Sequence, residues 1–230
     1  MLDLDSIKFF NVYEDDIKMI KQVIQDDSYQ FKKWAPSRNP KFIVDVGSQI
    51  GSFCYMSAFL FPECKILGYE MLEKNYHVSL KNLEEFNNVS VFNKAVIGDR
   101  APNGFWKSPS TYGCRPLFSN PLVGHIDVDK TESHPSLKGF NKIDEEIRVV
   151  DFNQIFNDHN IDYIDYLKMD CEGSEYEILP SLESNNLFDK ILSMGIEVHG
   201  NTEEKKIIID ILERNFSKIG SKGSVYFCSK

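Results

Sequence analysis

The sequence has no apolar run approaching the roughly 20 residues that a membrane-spanning helix needs, and its first residues, MLDLDSIKFF, lack the basic and then apolar pattern of a secretory leader. A soluble, cytoplasmic protein with no membrane span is the expectation. Cysteine is sparse: five residues, at 54, 64, 114, 171 and 228, odd in number and never at CxxC spacing, which argues against a disulfide framework and against a cysteine zinc site. Basic residues are outnumbered too, with 26 Lys and Arg against 35 Asp and Glu and a net charge of -9. Nucleic-acid binding relies on basic surface to displace counterions, so no nucleic-acid partner is expected. Internal repeats and low-complexity tracts are absent.

What is present is a rhythm. Strand signals occur at FIVDV (42–46), KILGYE (65–70), VSVFN (89–93), EIRVV (146–150), YIDYLKMD (163–170), ILSMGIEV (191–198) and VYFCS (225–229). Helical patterns lie between them: SFCYMSAFLF, EKNYHVSLKNLEEF, DFNQIFNDH with Asp151 as N-cap, SEYEILPSL, and TEEKKIIIDILERNF with Thr202 as cap. Such alternation requires right-handed crossovers, hence a mostly parallel sheet covered on both faces, a doubly wound α/β fold. Ahead of it, EDDIKMIKQVIQDD places Ile17, Ile20, Val23 and Ile24 on one helical face, so residues 1–40 are read as an N-terminal helical extension and 41–230 as the main domain. Residues 99–145 break the rhythm with many prolines and glycines; their aromatics, Phe105, Trp106, Tyr112 and Phe118, suggest a lid or interaction arm.

In a doubly wound sheet the ligand sits beyond the carboxyl ends of the strands. The first strand-to-helix turn reads D-V-G-S-Q-I-G from Asp45 to Gly51, with Gln49 where a dinucleotide fingerprint has its second glycine. Two readings follow: a tight turn and nothing more, or a nucleoside ligand without pyrophosphate, its amino-acid end against Gly47 and the helix start at Ser52. Glu70, ending the second strand, stands near the interval at which nucleotide-binding folds place an acid on ribose hydroxyls. Backbone near Ala95, in NKAVIGD, can edge an adenine. Later, LKMDCEGSEYEIL gathers Asp170, Glu172 and Glu175 at a strand end, and MGIEVHG brings Glu197 and His199 to the end of the next. Grouped carboxylates imply a cation, a metal or a proton to be moved. Capping of a helix N-terminus is the plainer alternative for Glu172 and Glu175. Cys171, between acids that raise a thiol's pKa, reads as a packing residue.

DVGSQIGSF, GYEMLEKN, NKAVIGD, YIDYLKMDCEGSEYEIL and IEVHG, in this order and spacing, resemble the FkbM family of S-adenosylmethionine-dependent methyltransferases over roughly residues 41–200. Ser48 and Gln49 depart from the family's usual Ala-Asn, and Met71 from its usual proline. The resemblance implies a Rossmann-like, class I methyltransferase sheet of seven strands whose last strand is antiparallel, with SKGS turning the final hairpin. It implies S-adenosylmethionine as donor and O-methylation of a sugar, glycan or small hydroxylated metabolite. Cofactor binding is then expected from Asp45, Gly47, Gln49, Gly51, Ser52, Glu70, Met71, Ala95 and Asp170. Catalysis is expected from His199, whose ordinary pKa lies near working pH, with Asp170 and Glu172; a Mg²⁺ on Asp170 and Glu197 is the minority alternative. Trp106, Tyr112, Arg115 and His125 are suited to contacting a saccharide acceptor. An NAD-dependent oxidoreductase and a non-catalytic binding module are the competing readings, separated from the first by cofactor binding and turnover.

Overall fold

The computed structural model describes residues 9–10, 16–35, 39–98, 105–107 and 146–230. The 99–145 insert, with Tyr112, Arg115, Phe118 and His125 and the side chains of Phe105 and Trp106, otherwise lies outside the described residues.

The main sheet contains β1 (Phe42–Val46), β2 (Lys65–Tyr69), β3 (Val89–Phe92), β7 (Tyr166–Met169), β8 (Ser193–Glu197), β9 (Lys218–Lys222) and β10 (Val225–Ser229). Their spatial order is β3-β2-β1-β7-β8-β10-β9, seven strands in all. The pairs β1/β2, β2/β3, β1/β7 and β7/β8 are parallel, while β10 runs antiparallel to both β8 and β9. The final hairpin turns at Gly223, whose φ of 65° is a left-handed conformation that glycine adopts without a Cβ clash. The helices are α1 (Asp16–Ile24), α2 (Phe31–Trp34), α3 (Ser52–Leu60), α4 (Glu73–Asn82), α5 (Phe152–Asp158), α6 (Glu175–Ser184) and α7 (Thr202–Asn215).

Side chains alternate across each strand, so the sheet divides the core in two. Ile43, Ile66 and Tyr166 point to one face, where they meet Phe53, Met56, Phe31, Ile20 and Ile24. Val44, Leu67, Leu167 and Met169 point to the other, against α5, α6 and α7 through Ile155, Ile178 and Ile208. The N-terminal segment is thus part of the packing: Phe31 is fully buried, and the Tyr166 hydroxyl donates to the Tyr29 carbonyl at 2.6 Å. Burial of a side chain such as Phe31 contributes about 1.5–3 kcal/mol.

Three expectations require correction. EIRVV is a strand, β6 (Glu146–Val150), but not in the main sheet; it pairs in parallel with β4 (Ala95–Val96) and antiparallel with β5 (Phe105–Lys107), forming a separate small sheet. Its main-sheet place is taken by β9, which the hairpin carries to the edge. In α1 the buried positions are Asp16, Ile20 and Ile24, whereas Ile17 is 54 % exposed. The i, i+4, i+8 stripe faces α3, and Asp16 joins it because its carboxylate has a partner in the cofactor loop. Finally, α7 is capped by Asn201, not Thr202: the Asn201 side chain accepts from the Glu203 and Glu204 amides while Glu204 reaches back to the Asn201 amide. Asp151 caps α5 as expected, in a reciprocal arrangement with Gln154.

Candidate functional site

The order of strands reverses between β1 and β7, and a crevice opens beyond the carboxyl ends of these two strands. The loop after β1 forms one wall. Gly47 has φ 75°, and a Cβ there would overlap the Asp170 carbonyl oxygen, so the β1 loop and the β7 loop approach as closely as backbone allows. The Gly47 and Ser48 amides both donate to the Tyr69 carbonyl, at 2.9 and 3.0 Å. Gln49 is left-handed at φ 49° without being glycine; its amide donates to Glu70 Oε2 at 2.8 Å. Its side chain donates to Asp16 Oδ1 at 2.9 Å and touches Met19 Sδ at 3.5 Å.

Glu70 is buried at the end of β2. Its second oxygen accepts from the Leu72 amide at 2.8 Å, and burial pushes its pKa up to about 7 against the lowering effect of the Leu72 and Gln49 amides. Two backbone donors leave further lone pairs for ligand hydroxyls. The opposite wall is the β7 loop, where Glu172, again not glycine, has φ 53°. Non-glycine residues held in left-handed backbone on both walls of one crevice mark a site whose geometry is enforced by its surroundings.

Glu175, the first residue of α6, is the hub of the acid cluster. It is fully buried and accepts from the Gly173 amide at 2.8 Å, the His199 amide at 2.7 Å and His199 Nδ1 at 3.1 Å. The other imidazole nitrogen, Nε2, lies 3.4 Å from Glu172 and 3.8 Å from Asp170. Burial disfavours charge on His199, but Glu175, then Glu172 and Asp170, outweigh it and raise its pKa to about 10. With Glu175, Glu172 and Asp170 around it, His199 is biased toward its protonated form, which makes it a weaker candidate for the base than an ordinary imidazole. Asp170 accepts instead from the Tyr29 hydroxyl, at 2.8 Å, through Oδ2. Cys171 lines the first part of the crevice beside Glu175, and burial, then Glu175 and Asp170, push its thiol pKa well up.

The crevice has two connected parts. The first is lined by Gly47, Gln49, Glu70, Met71, Ala95, Asp170 and Glu172, together with Asn75 and Lys94, which carry no sequence signal. The second shares Met19, Gly47, Gln49 and Asp170 with the first and adds Ser52, Tyr29, Lys168, Glu197 and Lys222. Of the residues expected at the cofactor, Gly51 and Asp45 line neither part. Gly51 is the N-cap of α3, packed on Leu83, and Asp45 is fully buried behind the loop. Glu197 sits in the second part, accepting from Ser224 Oγ at 2.7 Å, with its pKa raised by burial and then by Asp170. Among the described residues, the set whose ligand atoms converge as a metal site would need is Asp170, Glu172 and His199, without Glu197. That set fits Mg²⁺ poorly, because one of its three ligands is an imidazole and Mg²⁺ prefers oxygen.

A mostly parallel sheet with this strand order, an antiparallel last strand, and a buried acid beside a glycine turn at the switch point defines a Rossmann-like, class I methyltransferase. The chain belongs to the FkbM methyltransferase family: the family described as "Methyltransferase FkbM domain" matches residues 45–219. It is an S-adenosylmethionine-dependent methyltransferase, which sets aside the NAD-dependent oxidoreductase reading. Methyltransferase sdnD of Sordaria araneosa is 26% identical over 201 residues, covering 81% of this chain and 76% of that protein. Methyltransferase 1 of Beauveria bassiana (strain ARSEF 2860) is 24% identical over 198 residues, covering 83% and 77%. Among solved structures, the precorrin-6y C5,15-methyltransferase of Geobacter metallireducens GS-15 superposes with a TM-score of 0.50 at 10% identity, covering 100% of this chain and 98% of that one, a likeness of fold alone.

Proposed function

We propose that the protein transfers the methyl group of S-adenosylmethionine to a hydroxyl of a sugar or other small hydroxylated metabolite, with Asp170 as the proton acceptor. The observation that carries this reading is the position of Asp170: it lines both parts of the crevice, at their junction, with its carboxylate held by the Tyr29 hydroxyl. The adenosine end of the donor is assigned to the first part, its ribose hydroxyls donating to Glu70 and its adenine between Met71 and Ala95. The amino-acid end is assigned to the second part, against Gly47 and Ser52, so the sulfonium comes to the junction. In the reaction the hydroxyl oxygen forms a bond to the methyl carbon as the carbon–sulfur bond breaks. The electron pair stays on sulfur, which becomes a thioether, and the hydroxyl proton passes to the Asp170 carboxylate. Holding both partners in line supplies up to about 7–11 kcal/mol of the barrier reduction, and the base a factor of roughly 10²–10⁴.

Incubation with labelled donor and a panel of glycosides, phenols and amines tests the acceptor class. Label on a glycoside or phenol oxygen is the expected result, and label confined to amines would overturn it. Asp170→Asn is expected to lose roughly 10²-fold or more in kcat while still binding S-adenosylhomocysteine; undiminished turnover would remove Asp170 from the mechanism.

A further inference from the structure

We propose that Lys168 is the positioning residue of the cofactor loop, acting through the carbonyl of Gly47. Lys168 lies in the interior of β7, in a run of four buried residues, and is itself only 4 % exposed. A lysine in that place must have its charge compensated. Asp45 on the neighbouring strand β1 provides the compensation, with Oδ1 3.0 Å from the ammonium. The other Asp45 oxygen, Oδ2, accepts from the Cys54 thiol at 3.3 Å, and the Lys168 ammonium at Oδ1 is the cation that compensates the buried carboxylate. Burial works against the lysine's charge, but Asp45 and Asp170 more than offset it and hold its pKa above the usual value.

An ion pair alone gives little reason to keep two charges in a core, because well-packed apolar residues often serve equally well or better there. The ammonium's shortest contact points to a further role: 2.6 Å to the Gly47 carbonyl oxygen, shorter than the 3.0 Å to Asp45, with the Val46 carbonyl at 3.5 Å. The ring of Tyr29, whose hydroxyl holds Asp170, lies 5.3 Å from the same ammonium. Gly47 is tethered on both sides: its amide to Tyr69 of β2, its carbonyl to Lys168 of β7. The residue so fixed lines both parts of the crevice, and Lys168 lines the second. Lys168 thereby ties the loop after β1 to the strand that carries Asp170, setting the distance between the donor's seat and the junction where the methyl group moves. This role concerns donor binding and stands whichever acceptor the protein uses.

The test separates the tether from the ion pair. Asp45→Asn, Lys168→Met and the double variant are compared with the wild type by thermal melting and by calorimetric titration with S-adenosylhomocysteine. Lys168→Met is expected to melt lower, because Asp45 is left buried and uncompensated. The double variant, in which both charges are gone, is expected to recover melting temperature yet bind about tenfold or more weakly, since the Gly47 carbonyl still lacks its charged donor. Asp45→Asn, which keeps the tether, is expected to bind within about threefold of wild type. Wild-type affinity in the double variant would overturn the proposal. So would an equal loss of affinity in Asp45→Asn, or a double variant that cannot fold where Asp45→Asn does, since either outcome makes the pair merely structural.

Discussion

With Glu70 proposed as the acceptor of the donor's ribose hydroxyls, cofactor binding is expected to depend on pH. Its carboxyl is raised to about 7 in the fold, from an ordinary value near 4.5, chiefly by burial. The ionised form is the one that accepts from ribose hydroxyls. Affinity for S-adenosylhomocysteine is therefore expected to rise as pH increases through about 7 and then level, and Glu70→Gln is expected to bind more weakly with that dependence gone. Calorimetry from pH 5.5 to 8.5 checks both, at an interval set by the usual spread of a single titration. The same residue acts oppositely on stability: a folded pKa above the unfolded one gives a contribution complete below about 4.5 and lost as pH rises through about 7. His199 follows the same sign in a higher window. Its raised pKa contributes stability that is full below 6.5 and lost as pH climbs through about 10. Melting temperature is expected to fall between pH 7 and 10 more steeply in wild type than in His199→Gln; parallel curves would show that the imidazolium does not hold the cluster together.

At the scale of elements, the caps and periodicities were legible because they are local. Asp151 and its reciprocal Gln154 lie within three residues of each other. Asn201 was missed in favour of Thr202 because both are good caps and adjacent; the choice depended on where β8 released the chain. Asn201→Ala is expected to cost about 1 kcal/mol of unfolding free energy with S-adenosylhomocysteine affinity unchanged, as measured by denaturant melts and titration. The misassignment of β6 has another cause. A strand pattern identifies a pleated, buried segment but not its partner, and EIRVV pairs with Ala95–Val96 beyond the end of β3. The face of α1 was half right for a related reason: Ile17 fits the stripe by spacing, yet the neighbouring surface of α3 accepts Asp16 and Ile20.

Over the whole molecule, the acidic excess and the acidic site belong together. A chain of net charge -9 that gathers Glu70, Asp170, Glu172 and Glu197 around one crevice favours a cationic sulfonium over its neutral thioether product. Lys168 offsets this cluster beside Asp45, and the raised pKa of His199 biases it the same way. Methyl transfer is expected to survive a chelator and to gain nothing from added Mg²⁺; loss of turnover on chelation, restored by Mg²⁺, would refute this. Among the described residues no helix is long and apolar enough to cross a membrane.

The amino-acid sequence by itself determined the alternation of strand and helix, the switch-point turn D-V-G-S-Q-I-G, the acid at Glu70 and the carboxylate-rich strand ends, since periodicity, glycine and charge are all readable along the chain. Only the tertiary structure decided what those groups do to one another. It put Asp45 behind the loop, not in it, biased His199 toward its protonated form by enclosing it with Glu175, Glu172 and Asp170, and brought Tyr29, from a segment with no motif, to the junction beside Lys168. The physical reason is common to all three: protonation and positioning depend on distances across the sheet, where the partners of Asp170 and Gly47 lie more than a hundred residues away in sequence.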